Sequence, residues 1–264
     1  MGTNTSEIFS YLETLSPLNF QESYDNCGLQ VGLSDVSVDK VLVCLDVTEQ
    51  IVNEAERLGC GLIISHHPLL FRALKHVGDK TYQERCVVRA IRSGISIYSS
   101  HTCLDNAPGG VNHKIASLLG LHQLDWLSPA PSGGYGSGVV GYLPQSISDV
   151  DFLSLLQQIF GVKCLRHSAT NGRMISKVAL CGGAGAFLLK DAIASGADCF
   201  ISGEFHYHDY FENDGLLLAE LGHYQSEQYT CELLSDMLKE AFPELEVIVT
   251  EINTNPIQYT VYSK

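Results

Sequence analysis

Residues 38–67, VDKVLVCLDVTEQIVNEAERLGCGLIISHH, align without a gap on residues 175–204, ISKVALCGGAGAFLLKDAIASGADCFISGE, at a constant offset of 137. Lys40 falls on Lys177, Cys44 on Cys181, Ala55 on Ala192, Gly59 on Gly196, Ile64 on Ile201 and Ser65 on Ser202. Each copy reads as an apolar strand, a loop, a helical pattern, a glycine turn and a second apolar strand. That is a βαβ unit, and the right-handed crossover makes its two strands parallel. Few chains satisfy this pattern twice, so the sequence predicts an α/β protein of two similar domains. Internal duplication would relate them by a pseudo-twofold axis.

The echo continues on both sides. Helix-like SEIFSYLETL and strand-like CGLQVGL of the first half answer DFLSLLQQIF and VKCLRHS of the second. Downstream, RCVVRAIRSGISIYSSHTCLD ends in a His and an Asp, and DGLLLAELGHYQSE ends in a His and a Glu. The composition break falls at SPAPSGGYGSG, residues 128–138. Its Pro, Gly and Ser residues read as a linker, which places the domains at 1–127 and 128–264, with a C-terminal strand packing back on the first.

The chemistry-bearing residues gather at strand ends. SHHPLLF, residues 65–71, sets His66 and His67 side by side after the buried run GCGLIIS. Successive side chains on a strand point to opposite faces, and Pro68 ends the ladder, so the pair lies where strand opens into loop. Ligands of open α/β sheets bind at that end of the strands. Alone, such a pair is equally an ordinary pair of loop histidines. With Asp105, His223 and Glu227 from the ends of other strands it becomes a set of three imidazoles and two carboxylates, suited to Zn, Fe(II) or Mn(II). Five ligands exceed the three that one open catalytic zinc uses. The set therefore points to two divalent ions per chain, held in the cleft between the domains. Such a pair polarises a substrate oxygen and lowers the pKa of water enough to give hydroxide near neutral pH.

Other positions stay open. His101 is a partner orienting a ligand or a strand-end histidine. Arg72, Lys75, His76 and Lys80 follow the histidine pair and are either a solvated loop or a contact for an anionic substrate. His208, in GEFHYHD, is a further candidate for the substrate. The glycines of CGGAGAF, residues 181–187, lack the G-x-G-x-x-G spacing, and tight packing explains them better than phosphate binding.

Composition excludes several classes. With 45% apolar and 17% charged residues the chain has the make-up of a globular protein. A net charge of −14 argues against a nucleic-acid or anionic-membrane binder. No run reaches the roughly 18 apolar residues of a membrane span, and the N-terminus lacks a secretory pattern; the expectation is a cytoplasmic protein. The nine cysteines form no CxxC pair and read as buried thiols, with Cys103 singled out by its nearness to the candidate site.

In combination and order, YDNCGLQVG (24–32), SHHPLLF (65–71), SHTCLDNAPGGVN (100–112), SGEFHYHD (202–209) and GHYQSE (222–227) resemble the motifs of the NIF-three-like family, also labelled GTP cyclohydrolase I type two homologues. Tyr24 stands where that family usually has tryptophan. The resemblance implies two similar α/β domains, a dinuclear site with His66, His67, Asp105, His223 and Glu227 as ligands, and a ring-shaped homo-oligomer, commonly a hexamer. It further implies a metal-dependent hydrolase of a nucleotide-like or small heterocyclic substrate, with GTP the named candidate. The alternative is a non-enzymatic metal-binding or scaffold and regulatory protein.

Overall fold

The computed structural model describes residues 2–260. The chain forms two compact units, one made of residues 1–107 and 230–254, the other of 108–229 and 255–264.

The first unit is built on a five-stranded sheet in the order Glu246–Val249, Lys40–Cys44, Leu62–Ser65, Ser96–Ser99 and Gly28–Val31. The first four run parallel and the last pairs antiparallel. The three central strands are buried almost throughout, as expected of parallel strands covered on both faces. The connecting helices Glu49–Leu58 and Tyr82–Arg92 each begin at a threonine, Thr48 and Thr81, whose hydroxyl accepts a backbone N–H of the first turn. Such caps satisfy donors that the helix itself cannot. Gly59 ends the first helix at φ 73°, a left-handed position that favours glycine. Ile51, Ala55, Cys86, Val87 and Ala90 of these helices close on Leu42, Ile63 and Ile97 of the sheet. The helix Thr230–Ala241 leads into the strand Glu246–Val249, which extends the sheet beside Lys40–Cys44.

The second unit carries a six-stranded sheet in the order His122–Pro129, Gly136–Ser148, Met174–Cys181, Cys199–Ser202, Leu217–Glu220 and Arg166–His167. Met174–Cys181, Cys199–Ser202 and Leu217–Glu220 are parallel, and the remaining pairings are antiparallel. Its crossover carries a shorter helix than that of the first unit, a 3₁₀ turn Gly185–Leu188 followed by the helix Leu189–Ala194. Cys181 and Ser202 end their strands as Cys44 and Ser65 end theirs. Among the described residues no helix is long and apolar enough to cross a membrane.

The units divide at 107/108, and the chain returns to the first at Thr230, not at 127/128 as composition suggested. The stretch 128–138 is the tip of an antiparallel hairpin, with Ser128 opposite Ser137 and Pro129 opposite Gly136. Hairpin tips and linkers draw on the same Pro, Gly and Ser residues, so composition cannot tell them apart. Seven cysteines are buried, whereas Cys27 is partly buried and Cys164 exposed.

A side chain at Gly136 separates the two readings of this segment. A Cβ there would lie 2.7 Å from the Ser128 carbonyl oxygen and 2.9 Å from the Pro129 Cα, both backbone atoms that cannot step aside. Gly136→Ala is therefore expected to destabilise the protein by about 1–3 kcal/mol in denaturant unfolding. In a solvated linker the change would stay within about 0.5 kcal/mol.

Candidate metal centre

Three histidines of the first unit come together by one repeated device. The strand Leu62–Ser65 stops, but the backbone N–H groups of His66 and His67 still donate to the carbonyls of Cys44 and Leu45 at 3.2 and 2.9 Å. The His67 carbonyl in turn accepts from the Ser65 and Ser99 hydroxyls at 2.9 and 3.3 Å. So held, the turn places the His66 and His67 rings with centroids 4.9 Å apart. His101, just before the short helix Thr102–Asp105, lies 5.2 Å from the first ring and 5.4 Å from the second.

Each of the three meets an oxygen acceptor at Nδ1. For His66 it is the Ser100 carbonyl at 2.9 Å, for His67 Asp46 Oδ1 at 2.7 Å, and for His101 Asp25 Oδ1 at 2.7 Å. A carbonyl or ionised carboxylate only accepts, so Nδ1 carries the proton and a neutral ring presents its lone pair at Nε2. Ligand-capable atoms of these three rings lie within 4.8 Å of one another. Asp105 joins them, its Oδ1 3.6 Å from His66 Nε2. Such a donor set could hold a cation, and the supporting oxygens are the kind that orient metal-ligating histidines.

The supports are themselves braced. Asp25 Oδ2 accepts from the Thr102 N–H at 3.0 Å, the Thr102 hydroxyl and the Cys27 thiol at 3.2 Å. Asp46 Oδ2 accepts from the Thr254 hydroxyl at 2.6 Å. Burial works to raise both carboxyls, but hydrogen bonds and charge from His101 hold Asp25 well below the ordinary 3.8, and those from His67 hold Asp46 below it.

The second unit holds a smaller cluster on the five-residue helix His223–Glu227. His223 Nδ1 meets Glu204 Oε1 at 3.1 Å, and its Nε2 lies 3.2 Å from Glu227 Oε2. Glu227 is buried. The glycines of the CGGAG loop come close to this pair: a Cβ on Gly183, which sits at φ 59°, would run into the Glu227 carboxylate and lie 3.4 Å from His223 Nε2. The Gly183 N–H donates to Ser226 Oγ at 3.0 Å, and that hydroxyl donates to the His223 carbonyl at 2.7 Å. The loop's glycines thus serve close approach to a carboxylate. A cavity of about 650 Å³ opens beside His223, with Glu204, His206, Asp209, Phe205 and Arg166 in its wall.

The structure gathers His66, His67 and Asp105 in one unit and His223 and Glu227 in the other. His101, open in the sequence between a supporting partner and a strand-end histidine, has the same Nδ1-bound arrangement as His66 and His67. Arg72 and Lys75 stand exposed in the loop after the histidine pair, and His208 is exposed in a 3₁₀ turn against Tyr207 and Phe211. Cys103 is buried and turned to the Cys27 thiol. Sequence reading missed Asp25, Asp46 and Glu204. The one available signal was a carboxylate placed just beyond a strand, as Asp46 follows VLVCL.

Fold and donor groups together define a class: two-unit α/β proteins with imidazole and carboxylate clusters that could bind a metal ion. The chain belongs to the Duf34/NIF3 (NGG1p interacting factor 3) family, whose model matches residues 3–256. A GTP cyclohydrolase 1 type 2 homolog of Clostridium perfringens is 32% identical over 96% of this chain and 98% of its own. One from Campylobacter jejuni is 34% identical over 96% and 98%. The crystal structure of a Staphylococcus aureus hypothetical protein superposes with a TM-score of 0.91 at 27% identity, covering 98% of this chain and all of the other.

The depressed carboxyl of Asp25 has a consequence for acid stability. Its folded pKa lies below the unfolded one, so the stability it contributes is present above about pH 4 and drains away as pH falls further. Asp25→Asn is expected to cost about 1–3 kcal/mol at neutral pH and to flatten the dependence of melting temperature on pH below about pH 4. A variant melting curve parallel to wild type through that range would show that Asp25 is not held as described.

Proposed function

We propose that the chain is a divalent-metal-dependent hydrolase acting on a nucleotide-like or small heterocyclic substrate, with GTP the first candidate. The observation that carries the reading is the triple Nδ1 pairing of His66, His67 and His101, which leaves three neutral imidazoles presenting Nε2 to one place. With Asp105 they fit a borderline divalent ion such as Zn, Fe(II) or Mn(II) in donor type and geometry. We propose that His223 and Glu227 complete the set for a second ion, the reading their residue types and the family resemblance support. We further read the two units as products of duplication, supported by the ungapped repeat and by the matching strand ends at Cys44 and Cys181, Ser65 and Ser202.

Such ions, when bound, supply Lewis acidity and acidify water. The chain's own groups have other tasks. Asp46 and Asp25 hold the imidazole planes and the Nδ1 protons. Glu227, buried beside His223, supplies negative charge that a cation would offset. Glu204 Oε1 faces His223 Nδ1 at 3.1 Å as a hydrogen-bond acceptor and fixes that ring. The names of the relatives, homologues of a GTP cyclohydrolase, support a nucleotide as the substrate. The family resemblance also supports a ring-shaped homohexamer. Light scattering is expected to give a mass several times the 28.8 kDa of one chain, and a single-chain mass would reject it.

Elemental analysis of the purified protein is expected to give two divalent ions per chain. Glu227→Gln keeps the volume but removes a charge, and is expected to lose at least one ion and the hydrolytic activity while the fold persists. Loss of bound ions that favour the native state should lower the melting temperature. Incubation with GTP should bleach the guanine absorption band in wild type only. Normal metal content in the variant would remove His223 and Glu227 from the site. Tight metal with no turnover across nucleotides and small heterocycles would favour a metal-binding protein without hydrolase activity.

A further inference from the structure

We propose that the second unit carries a separate binding site for a nucleoside monophosphate, in an open cavity of about 700 Å³ that shares Arg166 with the cavity beside His223 but does not include His223. Its wall contains Arg166, His167, Arg173, Tyr207 and Phe211, and no lining residue is a carboxylate. In a chain of net charge −14 that combination is unusual, and it draws together the two parts of a nucleotide. Its volume lies within the range of small-molecule sites.

The cationic side is built. Arg173 donates from Nε to Asn171 Oδ1 at 2.9 Å and from Nη1 to the Gly215 carbonyl. Both acceptors are neutral, so these bonds aim the guanidinium without offsetting its charge. Asn171 is fixed in turn by Asp149, a buried carboxylate that accepts the N–H groups of Val150, Asn171 and Gly172 at 2.9, 2.9 and 3.0 Å. The charge of Asp149 is thus engaged with three backbone amides. Arg166 is held by Glu220 at 2.7 Å, but Glu220 also accepts from the Tyr210 hydroxyl and the Phe205 N–H, so Arg166 keeps part of its charge toward the cavity. His167 Nδ1 meets the Ser168 carbonyl at 2.8 Å. Glu212 and Asp214 of the neighbouring loop are exposed and do not line the cavity. Guanidinium groups bind phosphate oxygens in forked pairs.

The other side is aromatic. Tyr207 and Phe211 are both 70% exposed among the described residues, which leaves two large rings open to a ligand. Their centroids lie 5.3 Å apart at 65°, so one can offer its face and the other its edge to a planar base. Base stacking on such rings is tolerant of base identity and contributes about 1–3 kcal/mol per base. Phosphate on the arginines and a base on the rings describe a nucleotide, whereas a free sugar phosphate or a free base satisfies half the site. This inference stands apart from the hydrolase reading, since no proposed metal ligand lines the cavity.

Calorimetric titration of the full chain with adenosine 5′-monophosphate tests it. Wild type is expected to bind with Kd below about 1 mM, and adenosine and ribose 5-phosphate each about tenfold or more weaker. Arg173→Met is expected to weaken binding about tenfold or more, and Tyr207→Ala and Phe211→Ala by about tenfold each. The two aromatic variants change exposed side chains, so their melting temperatures should match wild type and keep the test free of folding effects. His223→Ala should bind as wild type does. No binding by wild type overturns the proposal. So does binding lost in His223→Ala but kept in Arg173→Met, which would move the ligand to the other cavity. Binding that survives both aromatic changes would reduce the site to a phosphate contact and overturn the nucleotide assignment.

Discussion

The histidine cluster of the first unit depends on one interaction repeated three times, a histidine Nδ1 set against a fixed oxygen. An imidazole rotates freely about two bonds and has two tautomers, so a cluster of rings is not by itself a ligand set. The acceptors remove that freedom. Ser100, Asp46 and Asp25 each select the Nδ1 tautomer and set a ring plane, which leaves Nε2 as the donor in these three rings, whereas His223 has a carboxylate against each nitrogen. Two of the three oxygens are carboxylates, and an imidazole whose N–H leans on a carboxylate is a stronger ligand than one leaning on water. The parallel sheet serves this arrangement by ending three neighbouring strands at Cys44, Ser65 and Ser99, so the residues just beyond them arrive side by side.

The βαβ repeat was legible because period and punctuation agree: apolar runs at strand length, helical spacing between them, and glycines where the chain must turn. The histidines and acids at strand ends were legible for the same reason, since a parallel sheet presents its ligand-bearing loops at the carboxyl ends. Their supports were not. Asp46 lies 21 residues from His67, Asp25 lies 76 from His101, and Glu204 lies 19 from His223. None of these separations is a local spacing, so each pairing depends on how loops meet after the sheet has formed. His101 shows the same limit: the sequence admits both a supporting partner and a strand-end histidine, while its ring geometry matches that of His66 and His67. The misplaced boundary at 128–138 has a different origin. Turn residues record where a chain reverses or loosens, and they do not record whether the two flanking strands pair.

Burial and charge explain why clusters of this kind suit a cation. Asp25 has a side chain with no exposed surface, and Glu227 is almost as enclosed. Removing a carboxylate from water is expensive unless hydrogen bonds or opposite charge compensate. Asp25 is compensated by donors from Thr102, Cys27 and His101. Glu227 lies against His223 Nε2, a ring atom whose other nitrogen already serves Glu204. A positive charge placed there would relieve Glu227 and occupy the lone pair of His223 at once.

The residues around the three rings of the first unit bear on which ions such donors suit. Thiolates would draw soft ions such as Cu(I), yet Cys103 is enclosed and directed to Cys27 and to the Ser100 hydroxyl at 3.9 Å, and the Cys27 thiol donates to Asp25 Oδ2. All-oxygen sites would favour Mg or Ca, but here at least three donors are imidazole nitrogens. Neutral nitrogen with one or two carboxylates is the middle of the softness scale, where Zn, Fe(II) and Mn(II) lie. The pairing of rings with carboxylates then adds a second discrimination. Asp46 and Asp25 remain ionised through the neutral range, and they keep the Nδ1 protons in place at the pH where the rings must be neutral to bind. The centre is therefore tuned by the same oxygens that build it.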